Sequence, residues 1–192
     1  MKSLLAGFLL LSFVTSANAV FTRDGGNNFA TDDATNLDWL SLSETVGQAY
    51  NDAESLNSGW RYATNLEVEN MFASIFPNVV YTAYYGYADL PLDTRFSELF
   101  GVTNGSGNSS FGLFLDDTDT LRIAGTSDYG GNTTRVLSSS YYINADSYRD
   151  QGRDIYGVFM VRNTTSSVSE SSSLYLLALG LFGLFVAARR KV

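Results

Sequence analysis

Thr64-Asn-Leu-Glu-Val-Glu-Asn-Met-Phe-Ala-Ser-Ile-Phe-Pro77 carries a helix start, a buried face and a stop within one stretch. Thr64 and Glu67 have the spacing of a capping box, in which the hydroxyl serves the Glu67 amide and the carboxylate serves the Thr64 amide. Val68, Met71, Phe72, Ile75 and Phe76 then recur at i, i+3, i+4, i+7 and i+8, one apolar face of a helix. Pro77 brings no donor and ends it. The spacing predicts a helix over 65–76. Just upstream, Gly59-Trp-Arg-Tyr-Ala63 reads as a short strand or extended turn. Arg61 is placed there to pair with a carboxylate and pin strand to helix, and Trp60 to anchor the core. Trp60, Arg61, Thr64 and Glu67 thus form one structural motif.

Working outward, Phe21 to Ala34 is rich in Gly, Asn and Asp and reads as an extended lead-in or hairpin. Residues 36–42 read as a strand. Thr45 and Gln48 have capping-box spacing ahead of an apolar face at Val46, Ala49, Tyr50, Ala53 and Leu56, which predicts a helix over 46–56. Asp93 or Thr94 is placed to cap a third short helix that Gly101 stops. Beyond it, short apolar runs alternate with Gly, Ser, Asn and Asp clusters. Residues 111–115, 120–124, 134–143 and 155–162 read as strands, the last nearly continuous in apolar residues and expected at the centre of the sheet. Helices early and strands late predict an α+β fold on an antiparallel sheet.

The two ends read differently. Lys2, the apolar run Leu4 to Val14 and Ala17-Asn18-Ala19 have the three parts of an export signal over 1–19. Residues 164–173 form a Ser/Thr-rich linker. The fifteen apolar or small residues Leu174 to Ala188 precede Arg189-Arg190-Lys191. As a helix they reach roughly 22 Å, at 1.5 Å per residue. That is short of the ~30 Å hydrocarbon core, a gap that snorkelling basic side chains and interfacial serines can bridge. The cations favour a cytoplasmic tail over 189–192. The domain proper is 20–163, expected outside the membrane.

The tail resembles the PEP-CTERM sorting domain of bacterial exosortase substrates. Val168, Glu170, Ser172, Ser173, Arg189, Arg190 and Lys191 occupy the positions of that signal, with serines in place of its two prolines. Three islands, Asn36 to Tyr50, Gly59 to Val68 and Tyr156 to Arg162, are similar to ectodomains of such exported proteins. Trp60-Arg61, Thr64 and Glu67 further resemble the signature of Legionella collagen-like C-terminal domains and of formylglycine-generating-enzyme-like domains. Tyr62-Ala63 stands where those families carry Leu-Pro. The resemblance implies a C-type-lectin-like fold, with two helices and then a twisted antiparallel sheet that closes on a strand near the first. It also implies an exosortase-type processing enzyme as partner and a place in an exopolysaccharide or biofilm layer.

Composition limits the chemistry. The chain has no histidine and no cysteine, and its only lysines are Lys2 and Lys191. Ser-His and Cys-His nucleophiles, the usual zinc ligand sets and Schiff-base lysines are therefore excluded from the domain. So is the cysteine-dependent oxidase activity of the formylglycine-generating family. Of 20 acids and 12 basic residues, Glu170, Lys2, Arg189, Arg190 and Lys191 lie outside 20–163, leaving 19 acids, eight arginines and a net charge of −11. Such a domain repels nucleic-acid phosphates.

Carboxylate chemistry survives, because a glycosidase needs only two acids. Glu44, Glu67 and Glu69, however, sit near helix starts, where the dipole favours the charged form. Asp116, Asp117 and Asp119 form an oxygen-ligand candidate for calcium in a turn. Tyr81, Tyr84, Tyr85 and Tyr87 are a candidate stacking surface for sugar rings. Asn104, Asn108, Asn132 and Asn163 head Asn-x-Ser/Thr sequons. The sequence therefore predicts a non-enzymatic exported surface or matrix protein without a cofactor. A carbohydrate- or calcium-binding lectin-like module and a small carboxylate-dependent glycoside hydrolase are the alternatives.

Overall fold

The computed structural model describes residues 21–79, 86–105, 109–128, 133–137 and 145–164. The chain opens on a meander: β1 (Phe21–Thr22), β2 (Phe29–Asp32) and β3 (Leu37–Leu40). A 3₁₀ turn at Leu42–Glu44 leads to α1 (Tyr50–Leu56), β4 (Arg61–Tyr62) and α2 (Asn65–Ile75). Next come β5 (Gly86–Asp89), α3 (Leu90–Phe100), β6 (Ser110–Leu115), β7 (Leu121–Asp128) and β8 (Thr133–Leu137). A second 3₁₀ turn, Asp146–Tyr148, precedes β9 (Gly157–Val158) and β10 (Met160–Asn163).

The fold is α+β, and the described residues form two five-stranded sheets rather than one, in the orders β1-β2-β3-β10-β4 and β5-β8-β7-β6-β9. All described pairings are antiparallel except β6 with β9, which is parallel. Phe159 is the residue at which the chain passes between the sheets. Its N–H donates to Leu113 of one sheet at 3.0 Å, and its carbonyl accepts from Ala63 beside the other at 2.9 Å. Its ring is buried edge-on among Trp39, Phe72 and Phe114, with centroids 6.2–6.3 Å apart.

This crossing explains the continuous apolar run. Phe159 and Val161 enter the core shared with α2 and α3, while Val158 and Met160 enter a second cluster with Leu40, Tyr50 and Leu113. A strand alternates sides, so burial on both sides asks for an apolar residue at every step. The segment predicted as one central strand is therefore two short strands, with β9 at a sheet edge and β10 between β3 and β4.

Local signals hold where the chain satisfies them locally. The Thr64–Glu67 capping box closes in both directions, at 3.2 and 2.8 Å. The box predicted at Thr45–Gln48 does not form. Helix α1 starts later, at Tyr50, with Ala49 at its N-cap. Thr45 is buried and its hydroxyl accepts the Val158 N–H at 2.7 Å, fastening the 3₁₀ turn to β9. Gln48 spans Glu44 and Asn57 instead. Residues 21–34, read as a lead-in or hairpin, form the β1–β2 hairpin, so three strands precede the helices, and α3 begins at Leu90, ahead of Asp93. Its C-terminal carbonyls are capped from outside: Arg23 donates to Glu98 and Leu99, and Ser41 to Phe100.

Candidate binding cleft

Among the described residues a polar site lies on the meander. Its two long strands are joined by a turn that Asp32 closes by accepting the Ala34 amide at 3.0 Å and the Thr35 hydroxyl at 2.7 Å. Asn36 takes the left-handed conformation there, φ 55°, which asparagine tolerates better than most residues. Register then decides which side chains meet. Thr31 pairs with Asp38, and Asp38 with Arg162, so the three stand side by side in one row. Trp39 and Leu37 turn into the core, which sends Asp38 to the other face.

The Asp38 carboxylate is buried at 4% exposure and held from both sides. Thr31 Oγ1 donates to Oδ1 at 2.8 Å, and Arg162 Nε donates to Oδ2 at 3.0 Å. Arg162 in turn lies against two rings, its guanidinium carbon 4.3 Å from the Trp60 centroid and 4.7 Å from that of Phe29. Cation–π attraction and the ion pair thus fix the same side chain. Beside this group a solvent-open cleft of about 320 Å³ is lined by Asn27, Phe29, Thr31, Asp33, Asn36 and Asp38. Thr164 also lines it and donates its amide to Asn36 O at 3.0 Å.

The residues singled out from sequence fall elsewhere or at the margin. Arg61 and Glu67 make a two-pronged ion pair at 2.6 and 2.9 Å. Hydrogen bonds from Arg61, reinforced by the Thr64 amide, hold the Glu67 carboxyl below the usual glutamate range against the opposing effect of burial. Trp60 is half-buried and packs on the rim of the second cluster, so the core anchor is Trp39.

Asp116 closes the β6–β7 turn. Its Oδ1 accepts from the Thr118 amide, the Thr118 hydroxyl and the Thr120 amide at 2.7–2.9 Å, and its Oδ2 accepts from Arg122 at 2.7 Å. Burial alone would raise that carboxyl, but these donors outweigh it and hold it well below the usual range. Asp117 and Asp119 are exposed, and Asp119 lies 3.7 Å from Arg149. Among the described residues no three acids converge as a metal-holding group.

Tyr87 is placed on β5 by its backbone. Asn104 forms a β-bridge with Ser109, and Asn163 ends β10. Tyr81, Tyr84, Tyr85, Asn108, Asn132, the export signal, the sorting residues Val168 to Lys191 and the apolar run between them lie outside the described residues. Among the described residues no helix is long and apolar enough to cross a membrane.

Sequence reasoning missed Phe29, Asp38 and Arg162. The available signal was a single acid between Leu37 and Trp39 in a strand, a charge that needs a partner when its neighbours are core. No family model, curated protein or solved structure matches the chain. Fold and cleft define its class as a two-sheet α+β protein with an aromatic-flanked polar cleft on one sheet.

Proposed function

We propose that this is a non-enzymatic, exported cell-surface or extracellular-matrix protein of the exosortase-substrate type, working in an exopolysaccharide or biofilm layer. One observation carries the reading beyond the sequence motifs. Phe21 pairs with Asp32, Asp32 with Leu37, and Leu37 with Asn163, so the domain's first and last strand residues share one row across the sheet. Three strand spacings of about 4.8 Å separate them. A domain whose two flanks leave side by side suits delivery by an N-terminal signal and retention or release through a C-terminal helix.

The lectin-like reading draws support from β10 pairing next to an early strand, with helices α1, α2 and α3 between them in sequence. The non-enzymatic reading draws support from the carboxyls that shift among the described residues. Glu67 and Asp116 both move down, opposite to what a general acid requires. Asp33 and Asp38 share the cleft, yet Asp38 has both oxygens committed to Thr31 and Arg162.

Intact mass of the protein recovered from cells tests export and processing together. The expected mature chain begins at Val20 and lacks the tail from about Ser171 onward, and deleting Glu170 to Ser173 restores the tail. A chain that keeps Met1 to Ala19 overturns the export reading, and one that keeps Arg189 to Val192 leaves a simple anchor.

A further inference from the structure

We infer that the cleft between the β2–β3 hairpin and the end of β10 binds the ring of a neutral sugar within a glycan chain. The inference rests on the exopolysaccharide reading only for its choice of natural ligand; the site itself stands on its geometry.

Three features point to a sugar. The first is a pre-set row of polar groups. Thr31 and Arg162 fix the Asp38 carboxylate at the cleft wall, and a strand row rather than a loop sets its position. Asn27, Asn36 and Thr164 add amides and a hydroxyl around it, a mixture of donors and acceptors that matches vicinal hydroxyls. The second is the half-buried Phe29, which lends the cleft a single apolar wall. A pyranose has an apolar C–H face and a polar rim, and one ring wall facing polar groups complements both. The third is size, since about 320 Å³ is at the lower end of the ~300–1,000 Å³ of ligand pockets and suits a short stretch of chain.

Charge narrows the class. Arg162 neutralises Asp38, and its guanidinium is turned onto Phe29 and Trp60. The remaining charged lining group is Asp33, set in a domain of net charge −11. A uronic acid would meet repulsion from both, and a neutral hexose meets none.

The test uses the full chain in detergent micelles, titrated with neutral hexasaccharides of β-1,4, β-1,3 and α-1,4 linkage and with an oligouronate hexamer. Heat of binding and tryptophan emission report the result, because Trp60 packs on the ring of Phe29, which lines the cleft, while Trp39 is buried in the core. At least one neutral hexamer should bind saturably and shift the emission. Asn27→Ala and Phe29→Leu, the second of which also removes the ring that packs on Trp60 and Arg162, should each weaken it by about tenfold, the effect of one good contact. Asp117→Ala in the distant turn should change nothing. Unchanged melting of the two cleft variants ties the loss to the site. Failure of every neutral hexamer at millimolar concentration or tighter binding of the uronate overturns the inference, whereas hydrolysis of the bound hexamer overturns the non-enzymatic reading instead. The two readings fail separately: a chain that is exported and processed but silent to every hexamer overturns only the sugar site, and one that binds sugar but keeps Met1 to Ala19 overturns only the export reading.

Discussion

Glu67 holds two jobs at once, returning the Thr64 cap and gripping Arg61. Its carboxyl titrates below its ordinary value, so its contribution is present above the unfolded-state value and disappears as pH falls through the folded one. Glu67→Gln keeps a side chain able to close the cap but removes the ion pair, and should therefore destabilise at neutral pH by roughly 0.5–1 kcal/mol. The difference from wild type should shrink towards zero in acid, which urea melts at pH 7 and pH 3 would show. A constant difference across that range would mean that the charge contributes nothing. Asp116 follows the same sign: its clasp of Thr118, Thr120 and Arg122 needs the ionised form and should loosen only in strong acid. Because those donors already occupy it, calcium should raise the melting temperature no more than sodium at matched ionic strength. A specific calcium effect abolished by Asp116→Asn would reverse that expectation.

Two crowded glycines carry predictions at the level of the elements. A Cβ on Gly125 would lie 1.9 Å from the Ser110 carbonyl oxygen, and the residue has φ 155°, a left-sided conformation that other residues resist. Gly125→Ala should break the β6–β7 pairing locally and cost roughly 3 kcal/mol or more in a denaturant melt, within the severe tail of single substitutions. On Gly112 a Cβ would meet the Phe159 ring at 2.5 Å and Leu42 at 2.8 Å. Gly112→Ala should behave as core overpacking, at about 1–3 kcal/mol.

The elements also show what a sequence can and cannot disclose. Helix α2 was legible because its cap, face and proline stop all lie within 14 consecutive residues. The Thr45 box was misleading because a residue 113 positions away claims its hydroxyl. The cleft was illegible for the same reason: Arg162 meets Asp38 across 124 positions, and only the β3–β10 register brings them together. Burial on both sides erased the alternation that would have divided 155–162 into two strands.

For the whole molecule, Phe159 is the crossing residue between two sheets that also share one buried core. Phe159→Ala should cost about 3–5 kcal/mol. It should lower the near-UV transition, which reports Trp39, and the far-UV transition together. If the far-UV change in the variant splits into two steps, the sheets fold independently and the crossing residue is not what unites them.

The shared row of Phe21 and Asn163 has a mechanical consequence for a domain tethered at one end and gripped by its surroundings. Tension drawn along β10 from Asn163 pulls against hydrogen bonds to β3 on one side and β4 on the other, all strained at once in shear. The same tension applied at Phe21 meets only β1, a two-residue edge strand that peels from β2 one pair at a time. The C-terminal tether proposed above would therefore pull on the better-held of the two terminal strands.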